Sequence, residues 1–172
     1  MKEKMKVILG DITEMDTEAI VNAANRTLLG GGGVDGAIHR KAGPNLLKEC
    51  RNLDGCETGK AKITKGYELP AEYVIHTVGP IYSGDDKKDS VLLESCYRSA
   101  FEVLRNNYIK SISFPSISTG AYRYPLEKAC PIAIKTVADE LKRSPGVEKI
   151  LFVCFDRDAE AIYKENMKRF EE

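Results

Sequence analysis

The segment Ile150–Phe155, ILFVCF, is apolar at every position. A strand with one wet face alternates apolar and polar residues. A run without alternation belongs to a strand buried on both faces, the signature of a largely parallel sheet with helices on either side. Other apolar clusters of strand length lie at Val7–Leu9, Ala19–Ala24, Ala61–Thr64, Val74–Val78 and Ile112–Ile117. Helical patterns fall between them. Leu92, Cys96, Ser99, Ala100 and Val103 share a face, as do Ile134, Val137, Ala138 and Leu141. At the C-terminus Ala159, Ile162, Tyr163, Asn166, Met167 and Phe170 do the same. Pro125 suits the first turn of a helix running to about Lys142, which Ser144-Pro145-Gly146 ends. The polar stretch Tyr82–Ser90 reads as a solvated connection. Strands alternating with helices predict an α/β layered domain, and 172 residues predict one domain over 1–172.

In such sheets ligands bind outside the carboxyl ends of the strands, and the polar, glycine-rich segments fall where these strands end. Gly30–Gly33 are four consecutive glycines, feeding a short helix with Val34, Ala37, Ile38 and Ala42 at helical spacing. The pattern GGGGVDGAIH is neither GxxxxGK[ST] nor GxGxxG, and it lacks the lysine that meets a terminal triphosphate. Two readings remain: a flexible turn with Asp35 favourably placed in the first helical turn, or backbone amides at a helix N-terminus cradling an anion. A second loop, Ser118-Thr119-Gly120-Ala121-Tyr122, follows the strand that ends in FPSI. It is either an ordinary strand-to-helix connection or the other half of a clamp on a pyrophosphate. Pro115 cannot donate to a sheet ladder, which fits a strand about to leave the sheet.

Single residues at the strand ends are equally two-sided. Asp11, in GDIT, is placed to accept a hydrogen bond from an exocyclic amine or to cap a turn. Asn22 and Asn25 donate and accept at once, which suits a ribose diol and also suits tying down a turn. Phe155 offers a stacking face for a base or simply completes the core rim. His39 and His76 read as packed, hydrogen-bonded residues.

Charge and cysteine content exclude more than they select. With 26 basic and 26 acidic residues, there is no electrostatic case for general nucleic-acid or anionic-membrane binding. No secretory signal and no apolar run near 18 residues is present, so a cytoplasmic protein is expected, with no membrane partner. The five cysteines show no CxxC or Cys/His metal spacing. Buried reduced thiols are expected, against a zinc site or a catalytic thiol.

Taken jointly, GDIT at 10–13, IVNAAN at 20–25, GGGGVDGAIHRKAG at 30–43, HTVGP at 76–80 and FPSISTGAYRYP at 114–125 resemble a macrodomain. More narrowly they resemble the MacroD-type branch, which includes bacterial O-acetyl-ADP-ribose deacetylases. The resemblance runs in order over nearly the whole chain. It implies a three-layer α/β/α fold around a mixed six-stranded sheet, with ADP-ribose in a cleft at the strand ends. Carried over, Asp11 hydrogen-bonds the adenine amine with Ile12 beside it, and Phe155 stacks on the adenine. Gly32, Gly33, Val34 and the loop Ser118, Thr119, Gly120, Ala121, Tyr122 bind the diphosphate, largely through backbone amides. Tyr122 also covers the distal ribose, Asn25 bonds its hydroxyls, and Asp35 takes the position of the catalytic acid–base residue.

The chemistry so implied is hydrolysis at the distal ribose: removal of an acetyl ester, or release of mono-ADP-ribose from acidic side chains of ADP-ribosylated proteins. It uses a water activated near Asp35 and oriented by Asn25, with no metal and no cofactor; a monomer is expected. The alternative is a non-catalytic ADP-ribose reader, a class that commonly lacks the acid at the Asp35 position. One departure stands out. Arg123 occupies a spot between two aromatics where this branch usually has glycine, and it would either crowd the loop or reach outward to a substrate protein.

Overall fold

The computed structural model describes residues 2–171. In chain order it contains β1 (Met5–Leu9), β2 (Ala19–Ala24), α1 (Gly33–Ala42), α2 (Pro44–Arg51), β3 (Ala61–Lys65) and β4 (Tyr73–Val78). Then follow α3 (Asp86–Asn106), β5 (Ser111–Phe114), α4 (Leu126–Lys142), β6 (Lys149–Cys154) and α5 (Arg157–Glu171). The strands form one sheet in the order β1-β6-β5-β2-β4-β3. All neighbours are parallel except the edge pair β3–β4, which is antiparallel. The sheet is mixed and six-stranded, as the resemblance implies.

Continuous apolar strands send alternate residues to opposite faces, and both faces are dry. Ile150, Phe152 and Cys154 of β6 join Val21, Ile75, Ile112 and Phe114 under α3, α4 and α5. Leu151 and Val153 join Ile20, Val74 and Val78 under α1 and α2, where Ile38 and Leu46 pack. Each fully buried Leu, Ile or Phe contributes about 1.5–3 kcal/mol relative to an exposed one. Among the described residues no helix is long and apolar enough to cross a membrane. All five cysteines are buried and unpaired. Burial pushes their thiols up, to about 11 for Cys50 and Cys96 and to about 12 for Cys130 and Cys154.

Four local expectations need correction. β5 stops at Phe114 rather than Ile117, because Pro115 has no N–H to continue the ladder. β6 stops at Cys154, leaving Phe155 outside the sheet and 87% exposed, so it is not rim core. The Tyr82–Ser90 stretch is not merely a solvated loop. Asp85 caps α3 by accepting from the Lys88 N–H at 3.1 Å, and buried Asp89 accepts from the Ser83 N–H and hydroxyl, each at 2.9 Å. Pro125 is the N-cap of α4 and not its first turn. The sequence patterns also passed over α2, which is only eight residues long and starts with Pro44 at its first turn.

With five strands parallel, the C-terminal ends of β1, β6, β5, β2 and β4 share one edge of the sheet. Asp11, Phe155, Ser116, Asn25 and Gly79 lie within two residues of those ends.

Candidate functional site

Two hollows open along that edge. The first, about 270 Å³, is lined by Asn25, Gly32, Asp35, Gly79, Ser118, Ala121 and Tyr122. The second, about 450 Å³, is lined by Asp11, Ile12, Ala37, Arg40, Thr119, Phe155 and Asp156. Gly33, Val34, Ser116 and Gly120 line both. These four form a waist between an Asp35 chamber and a Phe155 chamber. Volumes of this size suit small-molecule sites. Every residue nominated from the sequence lies on one chamber or on the waist, with one exception. Asn22 is fully buried behind Asp35, so it does not reach a ribose diol and instead ties down the protein interior.

The waist presents backbone amides at the start of a helix. Helix α1 begins at Gly33, and its N-cap Gly32 has no side chain to satisfy the first N–H groups. Those amides carry the positive end of the helix dipole. Opposite them, the second loop is folded by bonds from the Arg123 N–H to the Gly120 carbonyl and from the Tyr124 N–H to the Ser118 carbonyl, each at 2.9 Å. Gly79 is what lets this loop lie on the end of β4. A Cβ there would run into the Ser118 hydroxyl and the Ile117 side chain.

Asp35 is 4% exposed. Its Oδ1 accepts from the Asn22 amide at 2.9 Å, and the His39 Nε2 lies 3.4 Å away. Its Oδ2 is buried with no protein partner. A carboxylate oxygen buried without a donor is costly unless something else satisfies it. Gly31 runs alongside: a Cβ there would sit 3.2 Å from Oδ2 and 3.4 Å from the Asn25 amide nitrogen. The Asn25 amide donates to the Gly30 carbonyl at 2.9 Å, and its oxygen accepts from the Thr27 N–H and hydroxyl. Asn25 therefore ties down the glycine loop and still retains one N–H. Asp11 also has a local role, its Oδ1 accepting from the Thr13 N–H at 2.9 Å and hydroxyl at 2.7 Å. Both bonds use the same oxygen, leaving Oδ2 for a ligand.

A Macro domain family model matches residues 21–133 of this chain. The chain belongs to the Macro domain family. Among this macrodomain's relatives, a macro domain-containing protein of Methanosarcina mazei is 54% identical over 157 residues, 91% of this chain and 84% of its own. Human ADP-ribose glycohydrolase MACROD2 is 52% identical over 175 residues, covering 99% of this chain but 40% of MACROD2. Two solved structures share the fold closely. The Oceanobacillus iheyensis macrodomain with ADP gives a TM-score of 0.90 at 43% identity, covering 97% of this chain and 91% of that one. The Trypanosoma brucei macrodomain in complex with ADP-ribose gives 0.89 at 44%, covering 94% and 68%.

The departure at Arg123 is resolved by its backbone. Arg123 has φ +62° and an exposed side chain, so it holds a left-handed conformation that glycine adopts at no steric cost. It does not crowd the chamber of this macrodomain.

His76, given only a packing role from sequence, is fully buried. Desolvation lowers its pKa from 6.5 to about 4, with the His39 charge acting in the same direction and Asp35 opposing. It is neutral in the fold. The unfolded chain binds a proton near 6.5 and the folded chain only near 4, so stability falls as pH drops through that window and is unaffected by this group above it. The full difference is about 3 kcal/mol. The melting temperature of wild type is expected to fall between pH 7 and pH 4.5 by more than that of His76→Asn. Equal falls would show that His76 does not carry this proton linkage.

Proposed function

We propose that this macrodomain binds ADP-ribose along the cleft and hydrolyses an ester at its distal ribose. The substrates are O-acetyl-ADP-ribose, mono-ADP-ribose on acidic protein side chains, or both. Adenine enters the Phe155 chamber, its amine donating to Asp11 beside Ile12 and its ring stacking on Phe155. The diphosphate crosses the waist between Gly32, Gly33 and Val34 and the loop Ser118–Tyr122. The distal ribose enters the Asp35 chamber, against Asn25 and under Tyr122.

One observation carries the catalytic part: Asp35 is buried, anchored through one oxygen and unpaired at the other. A water at Oδ2 would hand over its proton as it attacks the ester, and the ribose oxygen would take that proton back as the ester bond breaks. Carboxylates are weak bases at neutral pH, so positioning of that water by Asn25 and the substrate carries much of the rate. The naming of MACROD2 as an ADP-ribose glycohydrolase and the ADP-ribose complex of the Trypanosoma brucei macrodomain support the reading.

The test is a rate comparison on O-acetyl-ADP-ribose and on a peptide mono-ADP-ribosylated at glutamate, with ADP-ribose affinity measured alongside. Turnover of either substrate upholds the proposal. Binding without turnover would make the protein a reader. Among the described residues no three His, Cys, Asp or Glu side chains cluster as a metal-holding group. Turnover is therefore expected to be unchanged in excess EDTA; a rate lost to EDTA and restored only by zinc would refute metal independence.

Phe155→Ala checks the other end. Exposed as it is, Phe155 contributes nothing to the core, so the melting temperature should hold. Loss of base stacking, worth about 1–3 kcal/mol, should weaken ADP-ribose binding on the order of 10–100-fold by calorimetry. Unchanged affinity would move the adenine elsewhere.

A further inference from the structure

A row of polar side chains crosses the otherwise apolar sheet face beneath α1 and α2. Asn22 of β2 and His76 of β4 are directly paired, and Thr64 of β3 stands opposite Val74, two residues from His76. All three therefore project from the same face. They are buried among Ile20, Val74, Ile38 and Leu46. The Asn22 amide nitrogen lies 2.9 Å from Asp35 Oδ1 and 3.1 Å from His76 Nδ1, and His76 Nε2 lies 2.9 Å from Thr64 Oγ1.

Donor and acceptor rules leave one arrangement. A carboxylate oxygen only accepts, so Asn22 turns its NH₂ toward Asp35. The second hydrogen of that NH₂ points at His76 Nδ1, which must then be the bare nitrogen. The imidazole proton sits on Nε2 and is donated to Thr64. Asn22 Oδ1 meanwhile has no partner, so the amide is held by its two hydrogens alone. Without the acceptor at His76, a buried N–H and a buried C=O would both be unsatisfied. The amide would then turn to relieve them, at the expense of its bond to Asp35.

We propose that His76 is a positioning residue: through Nδ1 it locks the Asn22 amide in the orientation that anchors Asp35 Oδ1 and leaves Oδ2 free of protein donors. Thr64 completes the device by keeping the imidazole proton on Nε2. The inference rests on the hydrolase reading, and its effect is on the rate and not on ligand capture, because neither His76 nor Asn22 lines either chamber.

The test uses His76→Phe, which fills the space without an acceptor, His76→Asn, which restores an acceptor at the Nδ1 level, and Thr64→Val. For each, kcat and KM are measured on the ADP-ribosylated glutamate peptide or O-acetyl-ADP-ribose, and Kd on ADP-ribose. A misplacement of about 1 Å near reacting groups costs on the order of 100-fold. His76→Phe is expected to lose kcat by roughly 10–100-fold with the ADP-ribose Kd unchanged. His76→Asn should recover most of that loss, and Thr64→Val should lower kcat in the same direction by less. Wild-type kcat in His76→Phe, a parallel loss of affinity and rate, or an asparagine no better than phenylalanine would overturn the assignment. If His76→Phe does not fold, Thr64→Val decides: wild-type kcat there overturns it as well. Failure of the hydrolase reading is distinct, because it shows in wild type as binding without turnover.

Discussion

Asp35→Ala is expected to abolish hydrolysis while ADP-ribose still binds. The carboxylate is buried in the wall of its chamber, with one oxygen tied to Asn22 and the other unpaired, and removing it deletes the proton acceptor for the attacking water. General acid–base groups of this kind contribute roughly 10²–10⁴-fold, so kcat should fall by about that factor. Binding should survive, since the waist amides and the Phe155 chamber are untouched. Alanine also leaves an Asn22 N–H unsatisfied in the core, costing about 1–3 kcal/mol of stability. A melting curve should therefore accompany the assay, to show that the variant is folded. Wild-type turnover in a folded Asp35→Ala protein would remove Asp35 from the chemistry.

Gly36→Ala should cost both stability and binding, against what helix propensity predicts. Alanine in place of glycine inside a helix ordinarily gains about 1 kcal/mol. Here the added Cβ would run into the Gly31 carbonyl oxygen and lie 3.1 Å from the Arg40 guanidinium. The arginine can swing away. The carbonyl belongs to the backbone of the glycine loop and cannot yield without dragging Gly32 and Gly33 with it. Overpacking of this kind costs about 1–3 kcal/mol, which outweighs the propensity gain at the upper end and displaces the waist amides in any case. The expected result is a lower melting temperature and ADP-ribose affinity weakened by at least about 10-fold, a loss of ~1.4 kcal/mol. A raised melting temperature with intact affinity would mean that propensity wins and the loop is softer than its packing implies.

The layered architecture was legible because β6 and its neighbours are apolar without alternation. The placement of the site was legible because glycine and asparagine cluster where those runs stop. Boundaries were less so. The apolar runs carry both strands too far: Pro115 marks the end of β5 by its missing N–H, yet the run continues to Ile117, and Phe155 extends the β6 run although it ends up in solvent. Helix α3 begins within what read as a loop, since its first turn, Asp86-Lys87-Lys88-Asp89, shows no apolar period and is set by the Asp85 cap. The partnership of Asn22 with His76 was missed, yet a signal existed. Each is a polar residue inside a largely apolar strand, AIVNAA and YVIHTV, and buried polar groups need partners. Which partner each one takes depends on strand order, and that is not written in either strand.

The buried thiols bear on how the protein can be instrumented. Alkylating reagents react with thiolates, and burial has moved four of the five cysteines to about 11 or 12, with Cys56 also raised. The native chain is thus expected to react slowly with maleimide. One cysteine introduced at exposed Ala121, on the rim of the Asp35 chamber, would take a fluorophore alone, and that dye would report occupancy of the chamber in real time without removal of any native residue but Ala121.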